Sequence, residues 1–575
     1  MKANLLDTFK YIPDKKKTKL LILLILLLVG VVFEGLSFAI FIPALELIIN
    51  NNLSYINKFN INKIFDIESF QTEQLISFFL ILIVIIFFIK NFYLLFLHWF
   101  KNKFFKQINT LNSIKLFDNY LELDWEEHLK KNSAEMIRNV QSEIQKIKIT
   151  INSFLELVTE ILIFIVILFF LVLWNPKIVL FLLILFGVIG FLFISIFKKK
   201  INHWAHQIQD NESAFFKNIK ESIGSIKEIK ILGKKNMFID ELNTRIERAQ
   251  ASRLKYETIQ QSPRFFLEFT SVLSISLLTI YFLFLDYKMS EILVNLGLIA
   301  VALFRIMPST NRIVKNVNDI RFGMNSVRII EKEYSLFKKL NKNFKNRINF
   351  NDKIELKGIK YSYGSNEKNI FTNLNIQIQK NSIIGIVGSS GSGKTTLIDI
   401  LIGLILQKQG SLKLDGEEIN ENNVKSYQRN FGYIPQNFYL FDNSLRQNIA
   451  IHEHNYKTQN TNEDKIILDI LNKLKLKKIV GRNGLDTQVG ENAIRLSGGQ
   501  RQRLGIARIL FHNKDILIFD EATNALDKET EKEIFDFISS LKGKKTIIIS
   551  THSLDMLYAC DQVYEIKNNT LSKIK

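Results

Sequence analysis

Six stretches, at about residues 20–48, 74–99, 150–173, 177–197, 265–286 and 290–311, are long and apolar enough to cross a lipid bilayer as helices. A hydrocarbon core takes about 20 such residues in helix, and unbroken apolar runs with no water nearby must satisfy their backbone internally, which a helix does. All six lie before residue 340 of the 575. The remainder mixes short β-type runs with helical patterns and polar turns, so a water-soluble α/β domain follows the helical one. The expected division is 1–340 for an α-helical six-span transmembrane domain and 341–575 for the soluble domain.

Charge in the connections sets the orientation. Lys15, Lys16, Lys17 and Lys19 precede the first run, and Lys101, Lys103 and Lys106 follow the second. Lys198, Lys199 and Lys200 follow the fourth, and Arg312 and Lys315 the sixth. Cytoplasmic loops carry the excess of Lys and Arg, so both termini are expected inside. The opposite connections are 51–73, the "WNPK" turn at 174–177 and the "DYKMS" turn at 286–290. The first holds Leu53, Tyr55, Ile56, Phe59, Ile61, Ile64 and Phe65 amid polar residues, which fits a short interfacial helix or a plain loop. The cytoplasmic connections, about 100–149 and 198–264, are far longer than turns and helical in periodicity. Within them "LELDWEEHLKKNSAE" (121–135) and "SIGSIKEIKILGKKN" (222–236) read as pieces that touch the soluble domain, against the plainer reading of solvated charged helix.

The formal charge of +20 could suggest nucleic acid, but it includes Lys/Arg runs flanking apolar segments, where anionic lipid offers an equally good partner, and no nucleic acid is expected. A single cysteine, Cys560, excludes an intramolecular disulfide, and no Cys/His cluster has metal-ligand spacing. No small-residue cleavage site follows the first apolar run, so it is expected to stay as a membrane helix.

After a buried strand pattern in "LNIQIQKNSIIGIVG" comes Gly388, Ser389, Ser390, Gly391, Ser392, Gly393, Lys394, Thr395 and Thr396, then a helical run. This is the G-x-x-x-x-G-K-T phosphate loop in the strand-to-helix setting it requires. Its glycines let backbone N–H groups converge on phosphates, Lys394 adds a charge at the β/γ-phosphates, and Thr395 can bind Mg²⁺. The run "ILIFDE" ends in Asp520, assigned to Mg²⁺, and Glu521, assigned to polarising the attacking water. His552 follows a further apolar run, where a lone histidine is more often structural; beside the other two motifs it is expected near the γ-phosphate.

In "RLSGGQRQRLGIARIL" (495–510), Ser497, Gly498, Gly499 and Gln500 open a helix and form a second anion-binding helix start. Here the chain resembles the ABC transporter family, whose hallmark is "LSGGQ", and the helical half preceding the ATPase resembles ABC exporters. The resemblance implies adenine stacking by Tyr363, with Tyr361 a near competitor, Mg²⁺ and water sensing by Gln436 in "GYIPQNFYLF", and coupling of two ATP sites by Asp527. "VGEN" at 489–492 matches a segment that touches the membrane domain, but Asn492 and Ala493 stand where the family has Arg-Gly. It further implies a homodimer with composite ATP sites, each closed by the partner's signature, and ATP and Mg²⁺ as cofactors.

Lys90, Arg264, Arg305 and Arg312 lie in or beside the apolar runs. Cations at membrane depth are costly and point to a pathway for an anionic, phosphate-bearing substrate, though snorkelling accounts equally well for Lys90 and Arg312. "ALFRIMPSTNRI" and "SPRFFLE" resemble the PglK-type flippases, which implies a lipid-linked oligosaccharide moved across the bacterial inner membrane. The alternative is an exporter of another amphiphile: a lipid A core, lipid, peptide or drug. A nucleotide-gated channel built on the same fold would be expected to lack residues such as Glu521 and Gln436.

Overall fold

The computed structural model describes residues 5–50, 71–337, 348–363, 369–407, 409–436, 438–451, 461–490, 495–521, 528–551 and 557–575. The chain forms two compact units, Met1–Leu123 with Lys131–Phe337, and Asp124–Lys130 with Lys338–Lys575. Six helices long and apolar enough to cross a membrane occur among the described residues, all in the first unit.

The first is split into α1 (Lys17–Ala39) and α2 (Phe41–Asn50), where an unbroken run is expected from sequence. Pro43 is the cause: it has no N–H to give the carbonyl four residues back, so the helix resets at Ile40. Next come α3 (Thr72–Leu121), α4 (Trp125–Lys130), α5 (Ser133–Arg138) and α6 (Ile144–Trp174). Then follow α7 (Pro176–Gly224), α8 (Ile226–Leu232), α9 (Lys235–Phe284) and α10 (Met289–Leu336). The long connections are thus continuations of apolar helices, as their periodicity predicts.

Local chemistry explains the ends. The "WNPK" turn places Pro176 at the first position of α7, and Asn175 Oδ1 accepts from the N–H groups of Lys177 at 3.2 Å and Ile178 at 3.4 Å. Pro263 lies inside α9, and the carbonyl of Ile259 that it leaves without an amide accepts from Ser262 Oγ at 2.8 Å. Gly233 ends α8 in the left-handed conformation, φ 62°.

One face of α3 carries exposed Ile81, Val84, Phe88, Phe92 and Leu95. Their spacing of three and four residues makes a continuous apolar stripe, which lipid covers. The opposite face is packed: Leu97, Phe104, Phe105, Ile108 and Leu116 join Ile144, Ile147 and Ile151 of α6 and Val327 and Ile330 of α10 in one buried cluster. The α6–α10 approach is close enough that a Cβ on Gly323 would collide with Thr150 Oγ1.

The second unit opens with β1 (Lys353–Tyr361), β2 (Phe371–Gln379), β3 (Ile383–Gly388), α11 (Lys394–Ile402), β4 (Gln409–Leu414) and β5 (Glu417–Glu418). It continues with α12 (Val424–Gln428), β6 (Phe431–Ile434), α13 (Leu445–Ala450), α14 (Thr461–Lys473) and α15 (Gly498–Phe511). The last elements are β7 (Ile516–Asp520), α16 (Lys528–Ser539), β8 (Thr546–Ser550), β9 (Gln562–Lys567) and β10 (Thr570–Lys573). Four strands form an antiparallel sheet in the order β2-β1-β4-β5, and six a second sheet in the order β10-β9-β3-β8-β7-β6. Within the second, β9, β3, β8, β7 and β6 run parallel. Every residue of β7 and β8 is buried, which is why they read as unbroken apolar runs. The order puts β8 between β3 and β7, so the loop after β3 and the acids at the end of β7 open on the same sheet edge, where parallel sheets bind ligands.

Candidate nucleotide site and membrane-embedded charges

The loop between β3 and α11 turns through Gly391 at φ 77° and Gly393 at φ 104°. Both angles lie where glycine alone is unstrained, and at Gly393 a Cβ would come within 2.8 Å of Ile370. Lys394 Nζ folds back onto this loop, donating to the carbonyls of Gly388 at 3.0 Å and Ser389 at 3.3 Å, and lies 3.4 Å from Glu521 Oε1. Ser392 Oγ is buried with no hydrogen-bond partner, an unmet group that a phosphate oxygen would satisfy.

Strand register aligns the rest. Ser550 pairs with Ile386 on one side and with Asp520 on the other. Asp520 Oδ2 accepts from Thr395 Oγ1 at 3.3 Å and from Tyr433 Oη at 3.4 Å. Burial holds the Asp520 carboxyl above the usual carboxylate range; the charge of Glu521 acts the same way, against hydrogen bonds from Ser550, Thr395 and Tyr433. A buried, raised carboxylate beside a threonine hydroxyl fits a divalent cation, which would restore its charged form.

Glu521 has φ 51°, a left-handed backbone that costs a non-glycine residue about 1–2 kcal/mol. Its N–H donates to the Ser550 carbonyl at 3.0 Å, and its Oε2 accepts from Gln436 Nε2 at 2.9 Å. Glu521, Gln436 and Lys394 therefore converge, although they come from three separate segments. Backbone strain at such a position is typical of a functional one.

Tyr363 and Tyr361 stand edge to face at 5.3 Å. Tyr361 is buried and donates to Glu126 Oε1 at 2.7 Å, whereas Tyr363 is half-buried and its hydroxyl lies 3.2 Å from Thr396 Oγ1. Only Tyr363 keeps a ring open enough to stack on a base. At α15, Ser497 is the N-cap: its Oγ accepts from Gln500 N at 3.2 Å, and Gln500 Oε1 accepts from Ser497 N at 2.9 Å. The next amides, of Gly498 and Gly499, are at helix positions that have no intrahelical acceptor. His552, Asp527 and the Glu491-Asn492 pair lie outside the described residues, as does 51–70 of the first outer connection.

Two elements of the site have weak sequence signals. The short α4 belongs to the second unit: Trp125 packs against the cluster that holds Ile398, Leu401 and Ile402 of α11, and Glu126 takes the Tyr361 bond. A lone Trp inside the charged segment 121–135 is the trace of this. Asp399, the one acid in "TTLIDILIGLI", is buried in α11. Burial raises its pKa from 3.8 to about 6, Asp520 adds to that, and Trp125 opposes it. A folded-state pKa above the unfolded value means that the native state holds the extra proton, so Asp399 destabilises the unit progressively as pH rises from about 4 to about 6. Asp399→Asn is accordingly expected to raise the melting temperature at pH 7.5 relative to the unsubstituted protein, and by less at pH 4.5. Equal shifts at both pH values would remove the assignment.

In the first unit each sequence-predicted cation has an acid. Lys90 Nζ is 3.4 Å from Glu34 Oε2, and Arg305 binds the other oxygen of the same carboxylate. Arg312 Nε donates to Glu160 Oε1 at 2.5 Å, and Arg264, well exposed, pairs with Glu268 one turn on at 2.9 Å. Lys90 and Glu34 are both buried, and Arg305 Nε is buried with no hydrogen-bond partner. Two cations sharing one carboxylate leave a positive excess at membrane depth. Sequence reasoning named the cations and passed over Glu34 as their partner, because nothing in the spacing of residues 34, 90 and 305 says that three different helices bring them together.

Residues 20–308 match the ABC transporter transmembrane region, and residues 371–524 match the ABC transporter family. An "ATP-dependent lipid A-core flippase" of Pasteurella multocida is 32% identical over 224 residues, 38% of this chain and 37% of that protein. The protein of the same description from Bordetella avium is 35% identical over 213 residues, 37% of this chain and 35% of that protein. The matched stretch thus spans well under half the length of these relatives. Among solved structures, "Structure of a bacterial Atm1-family ABC exporter with ATP bound" superposes with a TM-score of 0.75 at 17% identity, covering 97% of this chain and 94% of that one. At that identity the likeness speaks for the fold alone.

Proposed function

The chain belongs to the ABC transporter family, and from that premise we propose that it is an ATP-hydrolysing exporter that works as a homodimer and moves an anionic, lipid-linked substrate across the bacterial inner membrane. The observation that carries the ATPase half is the convergence of Lys394, Gln436 and Glu521 beside the Thr395–Asp520 pair. Lys394 leaves its carbonyl partners for the β/γ-phosphates, and the loop amides with Ser392 Oγ cradle the rest. Thr395 and Asp520, with Gln436, hold Mg²⁺, which when bound neutralises phosphate charge. Glu521 accepts the proton of the attacking water, and its bond from Gln436 Nε2 aims the carboxylate. Tyr363 stacks on adenine. Asp527 and His552 complete the site by family resemblance.

Two features support the homodimer. The Gly498 and Gly499 amides and the dipole of α15 offer an anion site, while Ser497 and Gln500 are spent on each other. The tip around α8 leaves Ile223, Ile226, Ile231 and Leu232 between 51% and 74% exposed. Among the described residues these are large apolar side chains open to solvent, which a second copy would cover. Both termini are cytoplasmic in this reading.

For cargo, the positive excess of Lys90 and Arg305 over Glu34, with Arg312 and Arg264 in reserve, suits a phosphate-bearing headgroup such as a polyprenyl-pyrophosphate oligosaccharide. The description of the relatives as lipid A-core flippases favours a second reading, a lipid A-type amphiphile. Reconstitution in proteoliposomes with ATP, offering polyprenyl-pyrophosphate sugars, lipid A core, phospholipid and peptides, separates these. Movement of the first class alone supports the pyrophosphate reading. Movement of lipid A alone replaces it, and movement of nothing that bears a lipid tail overturns the proposal.

A further inference from the structure

The segment Asp124–Lys130 belongs to the nucleotide-binding unit, yet the chain reaches it from the helical unit and returns there. Its two flanks meet at one residue. Tyr120 Oη donates to Glu333 Oε2 at 2.9 Å, and Lys131 Nζ donates to Glu333 Oε1 at 2.8 Å and Oε2 at 2.7 Å. Tyr120 also accepts from Asn139 Nδ2 at 3.0 Å, at the start of the π-helical turn Asn139–Glu143 that leads into α6, and stands edge-on to Phe337 at 5.6 Å. The Lys131 and Glu333 side chains are only 16% and 12% exposed, so this ion pair is sheltered from the screening that weakens surface pairs. Glu333 sits near the end of α10, the helix that higher up carries Arg305 and Arg312.

We propose that Glu333 is a positioning residue that fastens both flanks of the Asp124–Lys130 segment to α10, so that a nucleotide-driven movement of the segment reaches the last membrane helix. The proposal rests on the ATP-driven reading above. Without the carboxylate, the bonds that join Tyr120 on one flank and Lys131 on the other to Glu333 of α10 are lost, and the short flanks would absorb the displacement. Within the second unit the segment is held by Trp125 against α11 and by Glu126 on Tyr361. Nucleotide-contacting elements therefore pull at the middle of the segment, and Glu333 holds its ends.

The test uses the full-length protein in nanodiscs, carrying Tyr287→Cys in the turn between α9 and α10 and labelled there with a polar, environment-sensitive maleimide; Cys560 is buried and does not compete. The readouts are ATP hydrolysis and the fluorescence change on adding ATP with orthovanadate. Glu333→Gln is expected to lower the fluorescence response about tenfold, in line with the loss of an inter-site coupling, with hydrolysis kept. The Lys131→Glu/Glu333→Lys exchange is expected to restore most of the response, since Tyr120 Oη accepts from a lysine as well as it donates to a carboxylate. A full response in Glu333→Gln overturns the proposal, and so does a lost response that the exchange leaves unrestored, which marks a merely structural residue. If the parent labelled protein neither hydrolyses ATP nor responds to it, the underlying functional reading has failed instead.

Discussion

Glu521→Gln in the reconstituted protein is expected to lower ATP turnover about a thousandfold, within the range removed with a general base, while ATP binding persists. The geometry makes the substitution mild in every other respect. The amide keeps one oxygen, its backbone keeps the 3.0 Å bond from Glu521 N to the Ser550 carbonyl, and Gln436 keeps an acceptor. The proton affinity of the carboxylate is lost. The charge that pairs with Lys394 at 3.4 Å disappears too, which frees the ammonium for phosphate, so ATP affinity is expected to hold or rise. Lys394→Ala is the contrast: it removes the charge at the phosphates and should weaken ATP binding and turnover together. Filter binding of radiolabelled ATP alongside phosphate release distinguishes the pair. Hydrolysis by Glu521→Gln near the unsubstituted rate would move the general base elsewhere, His552 being the next residue to examine.

The geometry of the candidate nucleotide site was legible where its parts are local. Gly388–Thr396 and Ser497–Gln500 each form a complete strand-to-helix or loop-to-helix unit whose chemistry depends on neighbours within a few residues, and β7 announces Asp520 and Glu521 by ending an apolar run. The six long helices were legible for the same reason, with one exception: Pro43 resets a helix that hydropathy alone reads as continuous. What sequence could not give were pairings across large separations. Glu34 meets Lys90 and Arg305 from positions 56 and 271 residues away, and Glu333 meets Tyr120 and Lys131 across more than 200 residues. Glu34 sits in an apolar helix where a carboxylate has no local reason to be, and only the packing of α1, α3 and α10 supplies one. The same holds for Asp399, an acid in an apolar helix whose hydrogen-bond partner, Trp125, arrives from α4, while Asp520, arriving from β7, opposes its charge. A buried acid with no neighbour in sequence is therefore a signal for a long-range partner, though it does not name which.

The second large effect concerns where one ATP site ends and the other begins. Lys394→Ala disables the phosphate loop, and Gly498→Asp places a carboxylate at the first position of α15, where it repels phosphate. Each variant alone is expected to be inactive. If the sites are composite, a dimer with one variant on each chain has one site made of the two damaged parts and one made of the two intact parts. Random mixing makes half the dimers mixed, each with one good site of two, so about one quarter of the full activity should return. If each site were built within a single chain, every site in every dimer would carry a defect, and activity would stay at background. Coexpression of the two differently tagged variants, tandem purification of the mixed dimer and measurement of phosphate release therefore decide between the arrangements without any knowledge of the cargo. The mixed dimer isolated free of homodimers should show about half the unmodified rate if its two sites fire independently, and far less if both must close for either to turn over. That second outcome would tie hydrolysis to closure of the whole dimer, and with it to the movement that Glu333 is placed to pass on.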